Sequence, residues 1–123
     1  MMRYHGPVAS VRRLAMVDHD VRDKSIKAGD TLVLVIVAAN RDPEVFSDPG
    51  RFDIEREGVA KQLGFTIGPY SCMGQALARL EGAVFYRTML DRFPRLRPRD
   101  AAPDWMVFRP FGRELRTLRV VAD

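Results

Sequence analysis

The spacing of apolar positions divides the chain into stretches of different character. From Val8 to Lys24, β-branched, apolar and charged residues mix without helical spacing. They lead into Lys27-Ala28-Gly29-Asp30, whose Gly and Asp favour a turn. This predicts a short strand pair around that turn. Thr31 to Val37 is rich in β-branched residues and predicts a strand, although so uniform an apolar run also suits the opening of a buried helix. Between Asn40 and Asp53, Pro43, Pro49, Gly50 and three Asp residues break both periods, which predicts a long irregular connection. Ordered loops of that length usually have a function. Further on, Met73, Leu77, Leu80 and Val84 recur at spacings of four, three and four, and so fall on one helical stripe. Pro94 closes this helix, and Arg87 and Arg92 lie near its negative end. Beyond it, Pro98 and Pro103 punctuate a loop before two short terminal strands, Trp105 to Phe108 and Leu115 to Val121. No internal repeat or low-complexity segment is present.

Size and composition narrow the class. A chain of 123 residues holds one domain at most. With 46% hydrophobic and 29% charged residues it has the make-up of a globular protein, not of a disordered or fibrous one. The longest apolar run, Leu32 to Ala39, falls far short of the roughly 20 residues a membrane-spanning helix needs. Met1 to Val8 lacks the basic start and apolar stretch of a secretory signal, so a cytoplasmic setting is expected. The single cysteine, Cys72, has no partner for an internal disulfide and is free to serve as a thiol or a ligand. The formal net charge of +4 would suit an acidic partner. However, between Arg92 and Arg119 the cations stand singly among Pro, Asp and apolar residues, without a basic helix, zinc spacing or stacking aromatics. That argues for a solvated surface and against nucleic-acid binding.

The segment with the most chemistry is Phe65-Thr66-Ile67-Gly68-Pro69-Tyr70-Ser71-Cys72-Met73-Gly74, a Phe-x-x-Gly-x-x-x-Cys-x-Gly pattern just before the predicted helix. A cysteine there sits near unpaired backbone N–H groups and the positive end of the helix dipole, which favour a thiolate. Gly68 and Gly74 allow sharp turns and close backbone approach. A lone cysteine before a helix also has a plainer reading, as an inert buried thiol.

The pattern resembles the haem-binding signature of the cytochrome P-450 family. Ala76-Leu77-Ala78-Arg79-Leu80-Glu81 is similar to the opening of that family's proximal helix. Ala39 to Phe46 and Asp48 to Asp53 resemble the segments before and within its meander, and Arg3-Tyr4 with Pro7-Val8 resembles the stretch leaving the helix before the substrate-facing loop. The resemblance therefore runs in order along nearly the whole chain. It implies an α+β arrangement within a mainly helical parent fold: the C-terminal haem-binding part, spanning residues 1–123 as an incomplete domain, with short strands, meander, cysteine loop, proximal helix and terminal strands. By the same resemblance Cys72 is the axial ligand of haem iron, and Phe65 shields the sulfur on the proximal side. Arg12 stands where a propionate-binding arginine is common, with Arg13 as the alternative one residue on. Val8 to Val11 line the substrate side, while Phe108 and Phe111 read more simply as core than as a second substrate-contacting turn. The implied chemistry is oxidation of a small organic substrate with O2, using electrons from a donor protein such as a ferredoxin. The alternative is a truncated, non-catalytic remnant that binds haem weakly or acts only as an interaction module, with a complementing chain or self-association possible.

The pattern departs from the family in specific places. Two residues before the cysteine, where a cationic propionate partner is usual, stands Tyr70, a neutral phenol. The family's terminal Arg-Gly-Leu reads Arg113-Glu114-Leu115 here. The oxygen-activating helix is expected before Met1. No Glu-x-x-Arg is present in the chain, so Arg51, at the meander position that pairs with it, is expected either to turn to solvent or to loosen the meander.

Overall fold

The computed structural model describes residues 1–102, 104–106 and 114–122. These residues divide between two compact units, one running to Gly64 and the other starting at Phe65.

The first unit begins with an interrupted hairpin. Strand β1 (Val11–Leu14) pairs antiparallel with β4 (Thr31–Leu34), and β2 (His19–Val21) with β3 (Lys24–Ile26). Leu14 faces Thr31 and His19 faces Ile26, so four residues separate the ladders on each limb and both share one register. The tip is Arg22-Asp23, with Arg22 at φ 54°. The turn expected at Lys27 to Asp30 is present, with the Asp30 N–H donating to the Lys27 carbonyl at 3.0 Å, but it kinks the returning limb, and the two strands that flank it do not pair with each other. The kink is held from outside: the Ala15 N–H donates to the Asp30 carbonyl and the Gly29 N–H to the Ala15 carbonyl. The Asp18 carboxylate accepts from the Ala28 N–H and from Lys27 Nζ, both at 2.8 Å. Gly29 supplies the φ of 93° that this path requires.

Both readings of the apolar run after the kink hold in succession. The strand ends at Leu34, and a single helical turn, α1 (Ile36–Ala39), follows. Only Ile36 of this run is buried, while Val33, Leu34 and Val35 are about half exposed.

The irregular connection after Asn40 is knitted by polar groups. Asn40 is 2% exposed. Its Oδ1 accepts from the Leu63 N–H at 2.7 Å, and its backbone carbonyl accepts from the Arg3 guanidinium at 2.8 Å. Arg3, buried beside Phe46, also donates to the carbonyls of Pro49 and Arg51. Burial holds its pKa below the ordinary guanidinium value, helped by the nearby Arg56 and Arg41 cations. Arg51 resolves one expectation: its side chain is exposed, and it contributes through its backbone, its N–H donating to the Asp48 carbonyl and its carbonyl accepting from Arg3 and Arg56. The guanidinium that fixes the meander is Arg56, which donates to the carbonyls of Ser47, Asp48 and Arg51.

The second unit carries the helix predicted after Gly74, α2 (Gln75–Arg92). Two small antiparallel ladders follow: β5 (Arg97–Pro98) with β8 (Val120–Val121), and β6 (Asp104–Met106) with β7 (Glu114–Thr117). The run predicted as one strand from Leu115 to Val121 is split at Leu118-Arg119 because its two halves pair with different partners. Pro98, read as loop punctuation, lies in β5, a two-residue strand with a single neighbour, where a missing N–H is tolerated. Phe108, Phe111 and Arg113 lie outside the described residues. Among the described residues none after Gln62 is buried, so this unit holds its shape through backbone ladders and one helix without an apolar core of its own.

Candidate functional site

The cysteine loop is closed by its own backbone before α2 begins. Cys72 N–H donates to the Phe65 carbonyl at 2.9 Å, joining the first and eighth residues of the pattern. Within that closure, Gly68–Tyr70 form a single 3-10 turn, and the Ser71 N–H donates to the Gly68 carbonyl at 3.0 Å. Gly68 has φ 70°, a conformation disfavoured for other residues. Gly74 does not make the expected sharp turn: its φ is −80° and it serves as the N-cap of α2. A Cβ there would lie 3.8 Å from Cys72 Sγ, so glycine at this position leaves the flank of the sulfur open.

Two residues that pattern reading missed complete the loop. Thr66 takes φ 57°, which is strained for a β-branched residue, and its hydroxyl donates to the Tyr70 carbonyl at 2.6 Å. Arg79, one turn into α2, places its guanidinium 5.4 Å from the centre of the Phe65 ring and so anchors the start of the loop to the helix. The Arg79 contact was legible in principle, since Phe65 and Arg79 bracket the closed loop. The Thr66 conformation carries no sequence signal.

The sulfur faces outward. Cys72 is exposed, and no side chain caps the N-terminus of α2 two residues later. This overturns the inert buried-thiol reading on accessibility alone. Phe65 is half-buried under Arg79, and Tyr70 is 76% exposed. Arg12 is exposed on β1 opposite Val33, in the first unit, whereas the cysteine loop belongs to the second. Of the predicted helical stripe, Leu77, Leu80 and Val84 lie on α2 while Met73 precedes it, and all four are more than half exposed. Among the described residues no group of three His, Cys, Asp or Glu side chains is placed to hold a metal ion. No helix among them is long and apolar enough to cross a membrane.

This chain is similar to proteins of one family throughout. The family model described as cytochrome P-450 matches residues 1–110. A putative cytochrome P-450 140 of Mycobacterium bovis is 47% identical over 97 residues, 79% of this chain and 22% of that protein. The biotin biosynthesis cytochrome P-450 of Bacillus subtilis is 39% identical over 124 aligned positions, covering 99% of this chain and 30% of its own length. A crystal structure of P-450 BioI in complex with acyl carrier protein ligated to hexadec-9Z-enoic acid superposes with a TM-score of 0.89 at 36% identity, over 99% of this chain and 31% of that one. The 123 residues thus span between about a fifth and a third of these relatives. The order of hairpin, meander, cysteine loop and helix is the order the signature implies, and the chain belongs to the cytochrome P-450 family.

Proposed function

We propose that this chain is the haem-ligating part of a monooxygenase and that Cys72 is the single protein ligand of the iron. The observation that carries the reading is the exposed Cys72 sulfur on a backbone-closed loop at the start of α2. One thiolate without neighbouring ligands suits a metal whose other positions are filled by a macrocycle, and suits a bare ion poorly. The residues present fit that group: an outward sulfur, a glycine leaving its flank open, and backbone amides at a helix start to stabilise negative charge. Phe65, whose ring lies under the Arg79 guanidinium, would limit water on the proximal side of the group. Tyr70 would offer a propionate one neutral hydrogen bond.

When bound, haem supplies the activation of O2, with one oxygen atom entering an organic substrate and the other leaving as water at the cost of two electrons and two protons. The electrons come from a donor protein such as a ferredoxin, and the setting is the cytoplasm. This chain's own contribution is to hold the iron and set its environment through Cys72, Phe65 and the closed loop. The remnant reading is favoured by a different observation: after Gln62, every residue whose burial is described is exposed to at least an intermediate degree. A carbon monoxide spectrum of the reduced, haem-treated protein separates the two: a red-shifted thiolate band supports the ligand role, and free-haem absorption alone supports the remnant.

A further inference from the structure

Helix α2 carries charged residues along its length, but one of its faces is apolar between two charges of opposite sign. An open depression of about 670 Å³ lies along that face. Two rows of side chains spaced four residues apart line it, one from Leu80 to Arg92 and the other from Glu81 to Phe93. Rows at that spacing are ridges with a groove between them, the surface into which a ridge of another helix packs. Leu80, Val84, Phe85 and Phe93 are exposed along it, and Met89 is half-buried. At about 100° per residue, Arg79 projects from the opposite side of the helix, Arg87 lies well off the face and Asp91 borders it.

The order of residues along the face determines what covers it. Glu81 lies second from one end of the depression and Arg92 second from the other. Laid antiparallel about a two-fold axis level with Tyr86 and Arg87, a second copy brings its Arg92 to Glu81 and its Glu81 to Arg92. The same operation sets Val84 opposite Met89, Phe85 opposite Thr88 and Leu80 opposite Phe93. Contacts about a two-fold axis are reciprocal, so each pair forms twice. A parallel copy would instead set Glu81 against Glu81 and Arg92 against Arg92, which is repulsive. The face is therefore complementary to itself in one orientation.

We propose that this face of α2 is a homodimer interface, occupied by α2 of a second copy of the 123-residue chain in antiparallel orientation. Cys72 and haem have no part in the contact, so it holds or fails independently of the ligand role. The test is sedimentation of the haem-free protein over a range of concentrations, with reductant present so that the exposed Cys72 cannot link two chains. A reversible equilibrium between monomer and dimer is expected. Glu81→Arg and Arg92→Glu should each weaken the dimer at least tenfold, because each exchanges two attractive pairs for two repulsive ones. An equimolar mixture of the two variants should recover the affinity as a heterodimer, since one chain then presents cations at both ends of the face and the other anions. The chain carrying both reversals should dimerise like wild type. Both replaced side chains are exposed, and circular dichroism of each variant checks that the helix persists. A monomer at every concentration, association beyond the dimer, or a mixture that associates no better than either variant alone would overturn the proposal.

Discussion

The Cys72 N–H donates to the Phe65 carbonyl at 2.9 Å, so the loop that presents the sulfur is closed by two residues seven positions apart. Around this bond, Gly68 takes a positive φ and Thr66 reaches the Tyr70 carbonyl. The geometry of the loop is thereby set by the chain itself, which would lower the ordering cost of binding a group at Cys72.

Gly68 tests that preorganisation. Its φ is 70° and a Cβ there meets nothing within 4 Å, so Gly68→Ala costs backbone strain without a clash. A penalty of about 1–2 kcal/mol is expected for the left-handed conformation. Haem titration of Gly68→Ala should show weaker binding by roughly tenfold, since 1.4 kcal/mol is a factor of ten. Unchanged affinity would mean that the turn does not shape the site.

Tyr70 is the position where charge is missing. Hydrogen bonds to charged groups contribute about 1.5–3 kcal/mol, against about 0.5–1.5 for neutral ones. Tyr70→His and Tyr70→Arg are expected to tighten haem binding, and the side chain's 76% exposure leaves room for either. Titrations in which both variants bind equally or more weakly would remove the propionate role from this position.

Arg3 and Arg51 make a contrasting pair. Arg3 is buried and its side chain donates to three carbonyls, whereas Arg51 is exposed and takes part through its backbone N–H and carbonyl. Arg3→Ala removes the donor from at least one buried acceptor, at about 1–3 kcal/mol, and should broaden or lower the thermal transition of the first unit. Arg51→Ala keeps every one of these bonds and should stay within about 0.5 kcal/mol of wild type. Equal losses in calorimetry would contradict this division of roles.

The hairpin kink carries an acid sensitivity. The Lys27 ammonium first, and the Ala28 N–H second, hold the Asp18 carboxyl below the ordinary carboxylate range. A depressed folded-state pKa gives stability that is fully present above the unfolded value of about 3.9 and lost as pH falls through the folded value. Hairpin amide signals in NMR are therefore expected to shift below about pH 4 in wild type. The same titration in Asp18→Asn should lack that step, and an identical acid response in both proteins would rule the contact out as its source.

Much of the site was legible because its chemistry is local. Phe65, Gly68, Cys72 and Gly74 fall within ten residues, and the helix start follows from spacing alone. The turn at Lys27 to Asp30 was read in the right place, but the strands beside it were wrongly expected to pair, because Gly29 marks a bend within a limb as readily as a tip. The real tip, at Arg22-Asp23, uses a residue with no turn preference. Arg51 was named from the resemblance, and Arg56, whose guanidinium donates to three meander carbonyls, went unread because no local pattern marks it. Arg3 reaches across 37 to 48 residues to its acceptors, a distance no local pattern encodes. The spacing of Leu77, Leu80 and Val84 located the helix, but it included Met73, which precedes α2, and it did not show that these side chains are exposed.

The account rests most directly on the sulfur of Cys72. The decisive measurement is the reduced carbon monoxide spectrum of the haem-treated wild type beside Cys72→Ser and Cys72→Ala, all three made alike. Cys72 is exposed, so neither substitution opens a cavity and the fold is expected to persist. Wild type should show the red-shifted thiolate band and both variants should lose it. A band of the same position and strength in the variants would show that another group holds the iron.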